Sequence, residues 1–336
     1  MRSHGIRFDA AESAGSVERA ESSLRSTHLR IALVVLAALT PAAGLLGQIP
    51  VSSQLAIVAL PIALLGVMHG ALDPWVGGLV MQYRFGHRRI LAFYAAYLLC
   101  MAAIIACWVL APLATLAGFL VLSVIHFGEQ DSAAIGGRCD ALGILVYGAV
   151  PVLGPIVGHA GEVAVIFDWL TGLDAARLEP LLLWLVKPVV AIWLVGLGML
   201  VSRMVIEGVR DTAFRAFALA VLVAAMVLLP PLVAFAAYFC LLHSFGHLFD
   251  MAARGRGPWR HWTLAQWSAR LWPATLVTLM LGLVGWYALA GLDFGMLPAR
   301  EALAQVIFCG LAALTVPHVL LHELFRHQPR SESRVP

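Results

Sequence analysis

The chain has 336 residues, of which 61% are hydrophobic and 12% are charged, and its mean hydropathy is +0.88. Soluble globular domains carry about 25% charged residues, so this composition excludes an ordinary soluble protein and is typical of a polytopic membrane protein. The net charge of +3 is topological in origin and does not indicate a nucleic-acid-binding patch.

Ten apolar stretches are candidate membrane-spanning helices, since a bilayer core of about 30 Å requires roughly 20 apolar residues per helix. In chain order they are 30–48, 51–68, 90–110, 112–127, 141–158, 180–202, 213–229, 231–250, 271–291 and 302–324. The stretch 112–127 is short. At Pro230 and Pro231, either a tight reversal joins two spans or one long helix breaks. The predicted fold is therefore an all-α membrane bundle of eight to ten transmembrane helices.

The regions outside these spans are predicted to include two tails. Residues 1–29 mix arginine with acidic residues and contain few large apolar side chains, which predicts a mobile cytosolic tail. A cleaved signal peptide is disfavoured because the polar part before the first apolar run is long and acidic. We expect a single transmembrane domain over residues 30–325 and a cytosolic C-terminal tail over 326–336.

The five cysteines show no CxxC spacing. Four of them lie within predicted spans and Cys139 lies in a loop. The four are Cys100, Cys107, Cys240 and Cys309. This pattern predicts small apolar packing residues rather than a disulfide framework or a thiolate metal site.

The basic residues predict the orientation of the helices. With the N-terminus in the cytosol, 19 of the 22 arginine and lysine residues fall on the cytosolic side of the ten-span arrangement. Only Arg177 and Arg300 fall on the opposite side, and Lys187 lies inside a span. Because loops rich in arginine and lysine stay in the cytosol, we expect a multi-pass protein of the inner (cytoplasmic) membrane with both termini cytosolic.

The twelve histidines fall into two groups. Six lie in tails, loops or span ends and are predicted to be solvated or interfacial: His4, His28, His87, His159, His261 and His327. The other six lie in or at the ends of four spans that all run toward the cytosolic side: His69, His126, His243, His247, His318 and His322. A single such histidine is explained by an interhelical hydrogen bond. Because polar groups in hydrocarbon are costly and usually face the bundle interior, six at similar depth predict a shared polar site.

Two of these four spans carry a histidine pair with a spacing of four residues, which puts two imidazoles on one helix face. His243 pairs with His247, and His318 pairs with His322. At roughly 6 Å apart, two such imidazoles can bind one metal ion. Neutral imidazole suits iron, copper, zinc or nickel, so the residues alone predict a metal centre without identifying the metal.

Acidic residues follow several of these histidines at short distances. Metal-bound histidines commonly donate their second N–H to a carboxylate. Asp73 and Asp131, which follow His69 by four residues and His126 by five, are therefore candidate partners. Three further acids are better explained by contact with solvent or arginine at helix ends: Glu129, Asp250 and Glu323.

Four histidine-bearing motifs occur in a fixed order: "GVMHGALDP", "SVIHFGEQD", "LLHSFGH" and "TVPHVLL". Together they resemble the Brp/Blh family, the integral-membrane β-carotene 15,15′-dioxygenases of microbes with rhodopsins, over roughly residues 50–325. Each motif is weak alone, but the four in sequence are fairly specific.

The resemblance implies a membrane-embedded non-haem iron enzyme. The histidines matching His69, His126, His243 and His247 would hold a ferrous ion. The enzyme would split β-carotene, or a related carotenoid, at its central double bond with O₂ to give two retinals, which implies a functional link to a retinal-binding rhodopsin. Pro74 stands where the family pattern has a further histidine, a departure that bears on the substrate more than on the metal.

The resemblance also implies roles for the residues around the metal. Four residues would support the ligands or position the substrate: Asp73, Asp131, His318 and His322. Five aromatic residues are candidates for the apolar walls: Trp75, Phe127, Tyr238, Phe245 and Phe249. A C40 hydrocarbon dissolves in the bilayer, so a site inside the membrane is the expected place to receive it.

Two other classes of protein fit parts of this pattern. A haem- or metal-binding membrane redox protein also uses intramembrane histidines, but two axial haem ligands must come from opposite faces, which a pair on one helix cannot supply. A transporter with a histidine and aspartate relay would need polar residues across the whole membrane depth, and the outer halves of the spans are nearly empty of them. A desaturase-like diiron enzyme normally has more histidine boxes than the two HxxxH pairs found here.

Overall fold

The computed structural model describes residues 24–136, 138–208, 211–254, 257–290 and 298–328, and every regular element within these ranges is helical. We number the α-helical segments in chain order as α1 (Leu24–Leu46), α2 (Val51–Pro61), α3 (Asp73–Phe85), α4 (Arg89–Leu110), α5 (Pro112–Ala134), α6 (Ala141–Thr171), α7 (Ala175–Ile206), α8 (Thr212–Leu228), α9 (Pro231–Ala237), α10 (Phe245–Arg254), α11 (Leu264–Ala290) and α12 (Ala299–Arg326). The helix α1 includes a 3₁₀ turn near its end.

Eight helical stretches in the described part of the chain are long and apolar enough to cross a membrane. One of them, Val51–Leu110, is a 60-residue stretch that contains α2, α3 and α4, and the helix α8 is shorter but also apolar. Large apolar side chains such as Leu110 and Ile206 are more than four-fifths exposed, at 83% and 84%. Such surfaces suit contact with lipid rather than water. The prediction of an all-α, multi-pass membrane bundle is confirmed.

Several helices differ in extent from the predicted spans. The helix α5 continues to Ala134, well past the predicted end at residue 127. The helix α3 was not among the predicted spans, and Pro74 lies in its first turn, where a residue without a backbone N–H is tolerated. At Leu229 and Pro230 the backbone leaves the helical conformation, so the proline pair separates α8 from α9.

The predicted tails fall mostly outside the described residues. Residues 1–23 of the N-terminal tail and residues 329–336 of the C-terminal tail are not among them. Residues Leu24–Leu46 are already helical from Leu24, the first described residue, which is earlier than the predicted span start at residue 30. A single transmembrane domain over residues 30–325 stays a prediction.

The chain divides into two compact units, each built from stretches that are separated in sequence. The first takes its described residues from Met1–Gln54, Ser123–Val163 and Glu179–Trp262. The second takes its described residues from Leu55–Leu122, Ala164–Leu178 and Thr263–Pro336.

In the first unit, glycines let α5 and α6 approach closely. Gly128 lies against the backbone of Ile144, and a Cβ atom added to Gly148 would overlap the carbonyl oxygen of Val124. Small residues at helix contacts are common in membranes because association depends on close packing. This contact fixes the helix that carries His126.

Ion pairs join the start of α6 to the end of α7 at one end of the first unit. Arg203 Nη1 lies 2.7 Å from Asp140 Oδ2, and Arg138 Nη1 lies 3.2 Å from Glu207 Oε2. Partial burial works against ionisation of Asp140, but the hydrogen bond from the Gly143 N–H and the Arg203 guanidinium outweigh it and hold the pKa of this carboxyl below its usual value. Two arginines predicted to lie on the same side of the membrane thus meet at the same end of this unit.

In the second unit, α12 packs against α3, α4 and α11. Gly77 of α3 faces the ring of Phe93 in α4, with no room for a side chain between them. Trp286 Nε1 of α11 donates a hydrogen bond to the Ala299 carbonyl at the start of α12, at 3.0 Å. These contacts hold the helix that carries His318 and His322 beside the segment that carries His69.

Candidate metal centre

The first unit brings His126 of α5 against His243. The ring centroids are 4.8 Å apart with an interplanar angle of 73°. The two rings offer nitrogen atoms within 4.8 Å of each other, a separation that one metal ion can bridge. His243 is fully buried, at 0% exposure. Two imidazoles from motifs that are 117 positions apart therefore meet in this unit.

Aromatic rings surround His243. The Phe127 ring centroid lies 4.7 Å from that of His243, and Phe239 stacks on it at 5.8 Å with an interplanar angle of 14°. Tyr238 packs against Phe127 at 5.2 Å. Phe127 and Tyr238 were predicted as apolar walls, whereas Phe239 was not. The imidazole of His243 is thus packed between aromatic rings, one edge to face and one stacked.

The other predicted wall residues have different surroundings. Phe249 lies 4.9 Å and Phe245 lies 6.4 Å from the ring of His28, measured between centroids. In the second unit, Trp75 is 41% exposed and the Arg270 guanidinium lies 5.6 Å from its ring centroid. These three rings therefore have local partners of their own.

A change of helical register presents His243. The segment Tyr238–Ser244 is π-helical, between α9 and α10. Segments of π-helix accommodate an extra residue within a helix and occur frequently at functional sites. His247 follows in α10 and is partly buried. The uniform helix predicted over residues 231–250 is therefore interrupted where it carries the first histidine of its pair.

Asp131 is held by a tyrosine of the same π-helical segment. The Tyr238 hydroxyl donates a hydrogen bond to Asp131 Oδ2 at 2.7 Å, and both side chains are fully buried. Asp131 follows His126 by five residues and was predicted to support it. The described hydrogen bond instead joins α5 to the segment that carries His243.

The second unit brings His69, His318 and His322 together. The rings of His69 and His318 meet edge to face, with centroids 5.0 Å apart and an interplanar angle of 87°. The rings of His318 and His322 are 4.3 Å apart on α12. His69 and His318 are both buried, at 6% and 2% exposure.

The backbone around His69 also departs from regular α-helix. A π-helical segment, Ile62–Gly66, is followed by a 3₁₀ segment, Val67–Leu72. His69 Nδ1 lies 2.5 Å from the Gly66 carbonyl oxygen and donates to it. This hydrogen bond fixes the tautomer of the imidazole. The lone pair is then on Nε2, where it can bind a metal ion or accept a hydrogen bond.

Asp73 forms the centre of a buried polar cluster in this unit. His318 Nδ1 donates to Asp73 Oδ1 at 2.8 Å, and His322 Nε2 lies 3.4 Å from the same oxygen. The Tyr97 hydroxyl donates to Asp73 Oδ2 at 2.8 Å. Asp73 was predicted to partner His69, and its described hydrogen bonds connect it instead to His318 and Tyr97.

The acids expected to play a structural role have arginine or histidine partners. Asp250 Oδ1 lies 3.0 Å from Arg25 Nε, and Glu323 pairs with Arg326 and with His327, the latter at 2.7 Å. The interpretation of Asp250 and Glu323 as helix-end acids is supported by these contacts.

Three polar residues beside the histidines were missed by the sequence analysis. Tyr97 binds Asp73, Gln130 Nε2 donates to the His243 carbonyl at 2.8 Å, and His28 Nε2 donates to the Leu241 carbonyl at 2.7 Å. His28 had been predicted to be solvated or interfacial. A tyrosine or glutamine has many structural uses in a helix, so nothing in the local sequence distinguished Tyr97. The spacing of Gln130, four residues after His126, was the one available signal.

Comparison with known proteins identifies the family to which the chain belongs. The family model described as beta-carotene 15,15'-dioxygenase matches residues 60–326, a range that includes all six histidines predicted to form the shared polar site. The chain belongs to this family. The resemblance seen in the four histidine motifs is thereby confirmed.

Two curated relatives of the family cover most of the chain. The beta-carotene 15,15'-dioxygenase of uncultured marine bacterium 66A03 is 29% identical over 274 residues, which is 80% of this chain and 93% of the relative. The probable beta-carotene 15,15'-dioxygenase Blh of Halobacterium salinarum is 24% identical over 283 residues, which is 76% of this chain and 79% of the relative. No solved structure is significantly similar to the chain.

Proposed function

We propose that this protein is a membrane-embedded dioxygenase that cleaves β-carotene, or a related carotenoid, at its central 15,15′ double bond with O₂ to give two retinals. Family membership over residues 60–326 supports the reaction type. The observation that carries the proposal is the pair of imidazoles of His126 and His243, with centroids 4.8 Å apart, set among aromatic rings in a multi-pass membrane protein. A histidine pair with apolar walls suits a metal that acts on a hydrocarbon.

In this proposal four histidines hold a ferrous ion: His69, His126, His243 and His247. The donor set fits the metal, because neutral imidazole is a ligand of intermediate softness that suits iron. The hydrogen bond from His69 Nδ1 to the Gly66 carbonyl supports the assignment, since it directs Nε2 toward ligation. Held by these four residues, iron(II) would supply the activation of O₂ that cleavage of an electron-rich alkene requires.

Four further residues support the ligands or position the substrate in this proposal: Asp73, Asp131, His318 and His322. Asp73 orients His318 through a 2.8 Å hydrogen bond. The rings of His318 and His69 in turn pack edge to face. Asp131 and Tyr238 hold α5 against the segment that carries His243. These residues act by restricting the orientation of the imidazoles.

The aromatic residues bind the polyene and exclude water. Phe127 and Phe239 offer apolar surface next to His243, and their side chains carry no polar atoms. The reaction breaks one carbon–carbon double bond and forms two carbonyl groups, so a single O₂ balances it without a further reductant. Substrate and product are both lipid-soluble, and both exchange with the bilayer.

The proposed cellular setting follows from the same chemistry. We place the protein in the inner (cytoplasmic) membrane with its N- and C-termini in the cytosol, as the distribution of arginines predicts. Retinal released into that membrane is the chromophore that a retinal-binding rhodopsin requires, which is the functional link we propose.

Expression in a β-carotene-producing bacterial host tests the activity. We expect β-carotene to fall and retinal, or its reduced or oxidised C20 derivatives, to accumulate in extracts analysed by chromatography. The His243→Ala variant, expressed to the same level, is the matched control and should leave β-carotene unchanged. Unchanged β-carotene with folded, iron-loaded wild-type protein would reject the proposed substrate.

A further inference from the structure

We propose that Gln130 is a positioning residue that holds the π-helical segment Tyr238–Ser244 in the register that presents His243. Gln130 Nε2 lies 2.8 Å from the His243 carbonyl oxygen and 3.4 Å from that of Leu242. Gln130 and His126 are one helical turn apart on α5, so one face of this helix supplies the imidazole that meets His243 and the amide that binds its backbone. The proposal rests on the proposed function, in which His243 binds the metal.

The irregular hydrogen bonding of a π-helical segment gives side-chain donors access to its backbone carbonyls. Where a helix changes between the α and π registers, the regular ladder is interrupted and backbone carbonyls become available to other donors. His28 Nε2 donates to the Leu241 carbonyl at 2.7 Å. Three consecutive carbonyls, those of Leu241, Leu242 and His243, therefore face side-chain donors from α1 and α5.

Gly246 leaves the space that the Gln130 amide occupies. A Cβ atom built on Gly246 would lie 2.6 Å from Gln130 Nε2 and 3.8 Å from His28 Cε1. The first distance is too short for two non-bonded atoms, so a side chain at residue 246 would displace the amide. The glycine of the motif "HSFGH" thus has a physical role that links it to Gln130.

Gln130 differs from the other residues of α5 that contact this segment. Phe127 contacts the side chain of His243, and Asp131 contacts that of Tyr238. Gln130 instead binds the backbone of His243 itself, and so controls where the Cα–Cβ bond of His243 points. Loss of this hydrogen bond should change the position of the imidazole without removing it.

The test uses cobalt(II), whose visible absorption reports the geometry of its ligands, bound to the purified full-length protein in detergent. Gln130→Leu removes the amide donor and keeps a side chain of similar bulk. We expect the affinity for cobalt to fall by about 10–100-fold, the usual effect of losing a residue that orients a ligand, and the absorption spectrum to change. Gly246→Ala should produce the same two changes by displacing the amide while leaving Gln130 in the sequence.

Matched controls separate positioning from general loss of stability. Gln305→Leu removes a hydrogen bond of the same kind, from Gln305 Nε2 to the Trp169 carbonyl at 3.0 Å, and Gly310→Ala adds a methyl group where no atom lies within 4 Å. Both variants should retain wild-type cobalt affinity and spectrum. Thermal unfolding identifies any variant that does not fold, and Gly246→Ala decides the outcome if Gln130→Leu fails to fold.

Two results would overturn the inference in distinguishable ways. If His243→Ala loses cobalt while Gln130→Leu and Gly246→Ala bind it with wild-type affinity and spectrum, Gln130 has no positioning role and the metal centre stands. If wild-type protein and His243→Ala bind cobalt equally, the proposed metal centre is wrong, and the role of Gln130 is wrong with it.

Discussion

The hydrogen bonds of the buried imidazoles differ in kind. His69 donates to a backbone carbonyl, that of Gly66, whereas His318 donates to the carboxylate of Asp73. Both arrangements fix a tautomer, and both are found for histidines that bind metals. The aspartate also accepts a hydrogen bond from Tyr97, which restrains the carboxylate beside His318. The hydrogen bonds of His69 and His318 are both compatible with binding a metal, so an experiment must separate the ligand from the supporting residue.

Alanine variants of the six histidines test the proposed ligand set. We expect alanine at each of the four proposed ligands to remove most of the iron from purified protein, together with activity: His69, His126, His243 and His247. His318→Ala and His322→Ala should retain iron, with activity reduced about 10–100-fold because they act on the position of other groups. Iron per chain, measured by elemental analysis, and pigment assays give the two readouts.

The exposed His87 provides the control for this series, since His87→Ala should keep both iron and activity. A His318→Ala protein as poor in iron as His243→Ala would contradict the ligand assignment and place α12 among the helices that bind the metal.

Departures from regular α-helix occur in the segments at His69 and at His243. The segment Tyr238–Ser244 is π-helical, and Ile62–Gly66 is a π-helical segment directly before the 3₁₀ turns that contain His69. Such irregular backbone costs stability unless surrounding groups support it. In the first unit the support comes from side chains of α1 and α5, and the position of α5 depends on its close packing against α6.

The glycine contact between α5 and α6 gives a prediction at the scale of these elements. Gly148→Ala would place a methyl group onto the Val124 carbonyl, and the backbone there cannot move without separating the two helices. We expect the free energy of unfolding in detergent to fall by about 1–3 kcal/mol, as for overpacked sites, and iron content to fall because α5 carries His126.

Gly198→Ala in α7 is the matched control, because a Cβ there meets no atom within 4 Å. Its iron content should equal that of wild-type protein, and its stability should be no lower, since alanine is a better helix former than glycine. Equal stability of Gly148→Ala and Gly198→Ala would show that the close approach of α5 and α6 is not needed for folding.

The orientation of the whole molecule in the membrane is predicted by its basic residues, 19 of which fall on one side of the ten-span arrangement. In a variant without the native cysteines, we expect a cysteine at His87 to react with an impermeant thiol reagent only after the inner face of the membrane is exposed. A cysteine at Ala176 should react in intact cells. Both positions are exposed at the protein surface, so labelling reports membrane side and not burial.

Cells disrupted before labelling serve as the control for reactivity, since both cysteines should then react. Labelling of residue 87 in intact cells would refute the orientation and, with it, the prediction that the histidine-bearing spans all run toward the cytosolic side.

The class of the protein, most of its membrane helices and its histidine motifs were predictable from the sequence because each depends on residues that are close together in the chain. Apolar runs of about 20 residues predict membrane helices wherever they occur, and a spacing of four residues puts two imidazoles on one face of any α-helix. The family was predictable for the same reason, since each of the four motifs occupies fewer than ten consecutive residues.

Only the tertiary structure decided which polar groups meet. Tyr97 and His318 both bind Asp73, although His318 is 245 positions away from it, and Gln130 reaches the carbonyl of His243 across 113 positions. No periodicity in the sequence encodes such pairs, because they depend on how helices from separate stretches pack within each unit. The π-helical register at His243 was hidden for the same reason, since its carbonyls are bound by side chains from other helices.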